Sequence, residues 1–403
     1  MRFPEFKDEW NIVKVSDLLE FYSTNSYSWD QLDFEVGEIF NLHYGMIHNG
    51  LPTMMNAKEN ILPFVKEKPK NYTICKEGDV AFADASEDTN EVAKCIEFTN
   101  CDRKQIICGL HTIHGRDKLG ITELGYKGYA FSSKAFHDQV KKLAQGTKIY
   151  SISAKTFSEC FVGIPSNKEQ QKIAKLLSLI DKRIEIQRSA IEKLKSLKSA
   201  INDRLYDMYK GGITTSFSEF GESYSGLSGK TSADFGRGKP FITYLNVFQN
   251  DIVNPKMIDH VSIDDDENQN IVKQGDLLFT LSSETPEEVG YGAVYMDDKE
   301  IYLNSFCFGV HITRKDLIYS PYMSCLFSTR YFRKFMYPLA QGSTRYNLQK
   351  TDFEKKKISI PSLDFQKKIY KIVSALSSKI EEKSAFLSLY MNQKQYVLNK
   401  MFI

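Results

Sequence analysis

The sequence predicts an α+β chain built twice over: two similar globular parts of short strands, each running into a helix of roughly forty residues. Two observations carry this, an internal repeat and a heptad seam. Ala144-Gln145-Gly146 recurs as Ala340-Gln341-Gly342, Ile164-Pro165-Ser166 as Ile360-Pro361-Ser362, and Lys172-Ile173 as Lys368-Ile369, at a constant shift of 196. Over the 63 positions from Ala144 to Tyr206, sixteen are identical to their partners without a gap, where chance at roughly one in fifteen gives about four.

The seam follows the repeat. Ile173, Leu177, Ile180, Ile184, Ile191, Leu194, Ile201, Leu205 and Met208 fall on alternating steps of three and four, with Gln187 and Lys198 in the remaining slots. Ile369, Val373, Leu376, Ile380, Leu387, Tyr390, Val397 and Met401 repeat that register, and their polar exceptions, Lys383 and Lys394, sit 196 residues after the first pair. This is the spacing of a coiled coil. A helix from about residue 168 to 208 is about 60 Å long at 1.5 Å per residue, too long for an ordinary core helix. Matching seams predict that the two helices pair with each other within one chain. Gly211-Gly212 stops the first helix.

The globular parts read as many short strands between Gly, Asn and Asp turns, for instance Thr73 to Cys75 and Val80 to Ala83, after a short amphipathic piece from Val15 to Phe21. Gly78-Asp79 with Phe82 is matched by Gly275-Asp276 with Phe279, and Glu91-Val92 by Glu288-Val289, at a shift of 197. The duplication therefore reaches into the globular parts. The expected divisions are residues 1–166, a first helix over 167–210, a second globular part over 211–362, and a second helix over 363–403.

At 42% apolar and 26% charged, the composition is that of ordinary globular protein. No apolar run approaches the roughly 18 residues that span a bilayer, and Met1-Arg2-Phe3 does not open a signal peptide. Seven scattered cysteines, an odd number, suit a reducing compartment, so the expectation is cytoplasmic. The net charge of +2 is unevenly spread: residues 168–210 sum to +5 and 364–403 to +4, leaving −7 elsewhere. Any nucleic-acid surface on the globular parts must then be a local basic face.

Catalytic and metal motifs are weak. Gly229-Lys230-Thr231 resembles the end of a phosphate loop, but Tyr224 stands where its first glycine belongs. Cys101, Cys108, His111 and His114 have ligand chemistry without a close cysteine pair, so buried thiols and surface or binding-face histidines are expected rather than zinc. Asp264 to Glu267 lacks calcium-loop spacing and reads as a solvated turn. There is no nucleophile elbow, no zinc-protease helix and no amino-methyltransferase tetrapeptide. The reading is no catalytic residue, no metal and no cofactor.

The segments before the two helices remain. Gly146-Thr147-Lys148-Ile149-Tyr150 and Gly342-Ser343-Thr344-Arg345-Tyr346 both join a small residue, hydroxyls, a cation and a tyrosine. That chemistry suits phosphates and base edges, or equally a turn whose tyrosine packs on the helix. The candidate DNA contacts are Lys148, Tyr150, Ser343, Thr344, Arg345 and Tyr346, with Lys230 and Thr231 from the Gly/Ser-rich segment.

Together these stretches resemble the specificity subunits of type I restriction-modification systems. The carrying residues are Gln341 to Arg345, Ile164-Pro165 followed by Glu169-Gln170-Gln171-Lys172-Ile173, Ile180 to Ile184, Tyr224 to Lys230 with Lys239 to Ile242, and the duplication itself. The resemblance covers nearly the whole chain. It implies two target-recognition domains, each reading half of an interrupted duplex sequence, joined by two helices that pair as an antiparallel coiled coil. It also implies two modification subunits, which bind S-adenosylmethionine, and separate restriction subunits. Docking on those partners is expected at Glu169, Gln170, Lys172, Asp181, Arg183, Gln366 and Lys368. Ser377 replaces the acid of Asp181 in the second copy, so docking at the two ends is expected to be unequal. The rival readings are a coiled-coil adaptor that binds protein without DNA specificity and a self-contained enzyme.

Overall fold

The structure, a computed structural model, describes residues 1–101, 104–209 and 211–402. Its two longest helices are Asn167–Tyr209 and Leu363–Met401; positions 210 and 403, where the sequence places the helix ends, lie outside the described residues. The chain forms two compact units, Met1–Arg188 with the residues from Ala385 on, and Ser189–Ser384. Each unit thus contains part of both long helices.

The first unit is built on a five-stranded sheet in the order Leu19–Tyr22, Thr112–Asp117, Val80–Ala83, Cys95–Thr99, Met54–Asn56. The same unit holds a four-stranded sheet, in the order Gln105–Cys108, Ile39–Leu42, Phe64–Val65, Leu32–Asp33. The expected strand at Thr73–Cys75 is not one. Cys75 only donates its amide to the Ile106 carbonyl at 2.8 Å. The amphipathic piece after Val15 splits into a single helical turn, Val15–Leu18, and the edge strand Leu19–Tyr22. The main core is aromatic, with Phe82, Phe131, Phe136 and Phe157 ring against ring.

The second unit repeats the frame. Its four-stranded sheet runs Gly221–Ser225, Cys307–Ile312, Leu277–Thr280, Gly292–Val294, the order of the first four strands of the five-stranded sheet. The register agrees: Val80 pairs with Gly115, and Leu277, its repeat partner, with Val310. Phe217, Phe279, Phe308 and Phe353 fill the corresponding core.

Within the first unit, Ile173, Leu177, Ile180 and Ile184 of the first long helix share a core with Leu387, Tyr390, Val397 and Met401 of the second. Within the second unit, Leu205, Tyr206 and Tyr209 share a core with Ile369 and Val373, and Tyr209 stacks on Phe365 at 4.2 Å. The start of each helix therefore meets the end of the other: the helices pair within one chain, as the matching seams predict, and the pairing is antiparallel, as the resemblance implies. Met208 departs from the expected seam and is exposed, because Tyr206 and Tyr209 take the packed face of that last turn. The polar seam exceptions reach sideways: Lys394 pairs with Asp181 at 2.7 Å, and Lys198 with Asp251 at 3.1 Å.

One side chain ties each helix to its own globular part. Gln170 is fully buried; its Oε1 accepts from the Glu123 amide at 2.8 Å, and its Nε2 donates to the carbonyls of Ile121 and Pro165 at 3.0 and 2.9 Å. Gln366 makes the same three bonds 196 residues on, with Tyr319, Leu317 and Pro361 at 2.8, 2.9 and 2.9 Å. A carboxamide is required, since glutamate could accept but not donate. Replacing either glutamine by alanine leaves one amide and two carbonyls without their partner. Each variant is expected to lose roughly 1–3 kcal/mol of stability in denaturant titration. A loss within a few tenths would remove the clamp from the account.

Candidate nucleic-acid interface

The segments preceding the two helices are hairpin tips of one design. Gln145 exchanges both backbone bonds with Ser151 at 2.9 and 2.8 Å, and Gln341 pairs with Asn347 in the same way 196 residues later. Between them Gly146 and Gly342 have φ of +142° and +151°, and a Cβ on either would run into the carbonyl three residues on. Glycine is therefore demanded by shape. The tips are exposed from Gln145 to Ile149 and from Gln341 to Arg345, which brings Lys148, Ser343, Thr344 and Arg345 to the surface. Tyr150 and Tyr346 instead turn partly inward against the cores of their units.

Each tip lies along a second strand. Tyr150 pairs with Ser86, and Tyr346 with Ser283. Arg345 donates from Nε to Ser282 Oγ at 3.3 Å, and its guanidinium lies 5.7 Å from the centre of the exposed Phe306 ring. Lys148 is exposed. Acidic residues follow the paired strands, Glu87 and Asp88 in the first unit and Glu284 and Glu287 in the second. The charge around the tips is therefore mixed.

Several sequence-based site residues have other duties. Lys230 is nearly buried and paired with Glu267, whose carboxyl this lysine holds down at about 2. Thr231 caps a 3-10 turn through Asp234, with its hydroxyl 2.9 Å from Asp234 Oδ2. Both side chains are thus engaged by acids of the same unit, Lys230 by one 37 residues on and Thr231 by one three residues on. The Asp264–Glu267 segment is the expected turn, closed by the Asp264 amide on Glu267 at 3.1 Å.

Most of the residues expected to dock partners make bonds or ring contacts within the chain. Gln170 and Gln366 are the buried clamps, and Glu169 is buried against Arg2 through two bonds of 2.7 Å. Asp181 is taken by Lys394 and by the Tyr129 hydroxyl at 2.9 Å. Lys172 pairs with Glu5 and lies over Phe3, and Arg183 lies 6.0 Å from the Tyr390 ring. Lys368 is exposed over Phe365.

The structure adds cations that sequence reasoning left out of the site. In the second unit, Phe235–Ile242 is a bulged strand whose exposed stretch holds Arg237 and Lys239, flanked by Gly236 and Gly238 at φ of +95° and +99°. Neither cation has an ion pair among the described residues. In the first unit, Lys66, Lys68 and Lys70 are exposed after Phe64–Val65, and Trp29 and Phe34 are exposed on either side of Leu32–Asp33 in the same four-stranded sheet. A run of cations with exposed aromatic rings is the chemistry that backbone phosphates and bases accept. The sequence signal was the Gly-Arg-Gly-Lys and Lys-Glu-Lys-Pro-Lys spacing.

The ligand-type group does not gather as the sequence grouped it. His111 lies at the surface 3.1 Å from Asp84, whereas Cys108 and His114 are buried beside Cys75.

The family described as Type I restriction modification DNA specificity domain matches residues 7–196 and, again, 218–385. This chain belongs to that family. Solved members of similar fold include the S subunit of the type I restriction-modification system of M. genitalium, 16% identical over 100% of this chain and 99% of that one, with a TM-score of 0.56. Another is a chain from a structure of complex assembly and conformational transition of the type I R-M system, 14% identical over 98% and 97%, with a TM-score of 0.59. The specificity-domain match falls on both globular parts, as the duplication requires.

Arg345→Ala tests the tip of the second specificity domain. The fold is expected to survive, since an exposed cation rarely contributes more than about 1 kcal/mol. Duplex affinity, titrated at several salt concentrations, should fall about equally on all sequences, with the salt slope reduced by roughly one. Unchanged affinity on every duplex would remove Arg345 from the interface.

Proposed function

We propose that the chain is the DNA sequence-specificity subunit of a type I restriction-modification complex. Each globular domain reads one half of an interrupted duplex target, and the paired helices set the distance between the halves. Chemistry on the DNA belongs to partners: two modification subunits that transfer a methyl group from S-adenosylmethionine, and restriction subunits that translocate and cut. No helix among the described residues is long and apolar enough to cross a membrane, which agrees with a cytoplasmic complex.

The observation that carries this reading is a frame used twice with different surfaces. The sheets share order and register, and the hairpin tips share their glycine and backbone pairing. The exposed residues on them differ, Lys148 and Ile149 against Thr344 and Arg345. Two copies of one reader with unlike reading surfaces suit two unlike half-sites. A coiled-coil pair suits a fixed gap better than a flexible linker does, because it resists bending. The exposed outer faces of the helices, Lys368 among them, are where partner subunits would dock.

The test uses the chain co-purified with its modification subunits. Sequencing of the adenines methylated in a random duplex library is expected to return one motif of two halves and a fixed gap. Adding one heptad to each helix preserves the seam and lengthens each by about 10 Å, so the gap should widen by roughly three base pairs with both halves unchanged. An unchanged gap would refute the ruler. An assembled complex with no duplex selectivity would favour the coiled-coil adaptor instead.

A further inference from the structure

We propose that Cys75, Cys108 and His114 form a zinc site inside the first specificity domain. The inference stands apart from the DNA reading and would survive its failure.

The three side chains come from three segments that the fold brings together: the coil before Val80, the end of the strand Gln105–Cys108, and the strand Thr112–Asp117. All are buried, with two per cent exposure or less. One donor atom from each lies within 4.8 Å of the others. The two sulfurs are 3.6 Å apart. Two thiolates at about 2.3 Å from a tetrahedral zinc ion sit about 3.8 Å apart, whereas a disulfide requires about 2.0 Å.

The imidazole supplies the second, independent observation. His114 Nε2 is 2.8 Å from Asp79 Oδ2, and that carboxylate is itself held by Arg116 through Nε and Nη2, both at 2.7 Å, and by the Lys76 amide at 2.8 Å. A carboxylate gripped by a guanidinium accepts, so Nε2 carries the proton and Nδ1 presents its lone pair. Nδ1 is buried and has no hydrogen-bond partner. A histidine oriented by a carboxylate on one nitrogen, with the other buried and unbonded, is the arrangement that orients a zinc ligand.

The sister domain is an internal control. Val272 donates its amide to Ile301 at 2.8 Å, as Cys75 does to Ile106, so Val272 occupies the place of Cys75 and Leu303 that of Cys108. Strand register puts Gly309, opposite Leu278, in the place of His114, opposite Ala81. There Tyr224 fills the space over Gly309 and donates its hydroxyl to Asp276 at 2.7 Å. All three ligands are replaced together by groups that cannot ligate, while the acid is kept. That pattern marks the three as a unit.

Binding would release both thiol protons to solvent and pair Zn²⁺ with two thiolates and a neutral imidazole, leaving the site without net charge. Cys108 ends a strand of the four-stranded sheet and His114 lies on the five-stranded sheet, so the ion would staple the two within the domain.

The test uses the full chain purified under reducing conditions. Elemental analysis should find about one zinc ion per chain, and cobalt exchange should give thiolate-to-cobalt charge-transfer absorption. Cys75→Val with Cys108→Leu, the residues of the sister domain, should abolish both signals, whereas Cys160→Ser and Cys325→Ser should keep them. If the double variant does not fold, the wild-type readings decide alone. A wild-type chain that takes up neither zinc nor cobalt, or whose Cys75 and Cys108 map as a disulfide, overturns the site.

Discussion

The carboxamide of a single glutamine in each copy is the constraint on which the remaining architecture depends. At the start of a helix several amides lack intrahelical partners, and here the entering chain, Ile-Pro-Ser, also has carbonyls to satisfy. Gln170 and Gln366 answer the second need from inside the protein, bonding the proline carbonyl and the loop before the short helices of the domain together. A long helix attached by one covalent link would pivot. Attached also by three buried hydrogen bonds at its first turn, it leaves the domain at a fixed angle, and the seam residues from Ile173 or Ile369 onward are delivered to their partners.

Beneath that shared joint the two domains solve one electrostatic problem differently. An aspartate sits at the start of the central strand in each, Asp79 and Asp276. Burial alone would raise Asp79, but Arg116 and His114 hold it below the usual carboxylate range. Asp276 receives the Tyr224 hydroxyl and His311 instead, both within 2.8 Å. The backbone turn that the acid closes, through the amides of Lys76 and Lys273, is the same. Frame residues therefore keep their backbone task while their side-chain company changes.

The frame was legible in the sequence because it was written twice. A gapless repeat with a matching seam locates both helices, their pairing face and the glycines of the tips, and periodicity needs no knowledge of tertiary contacts. The functional surface was legible only in part. Glu169, Gln170 and Asp181 are polar residues on a helix, which local pattern reads as solvent-facing; their partners Arg2, Glu123 and Lys394 come from elsewhere in the chain. Lys230 looks like a free cation until Glu267, 37 residues on, is brought beside it. Cys75 escaped grouping with Cys108 for the same reason, 33 residues of intervening strands.

The hairpin tips carry a consequence for how such a molecule can change. Their shape is set by one glycine and by backbone pairs at the base, none of which depends on the side chains between. Substitutions at positions 147–149 or 343–345 therefore leave core packing untouched, and most are expected to be nearly neutral for folding. Mutations can accumulate there without eroding stability. New surface chemistry becomes accessible in single steps, along a path where folding imposes almost no selection.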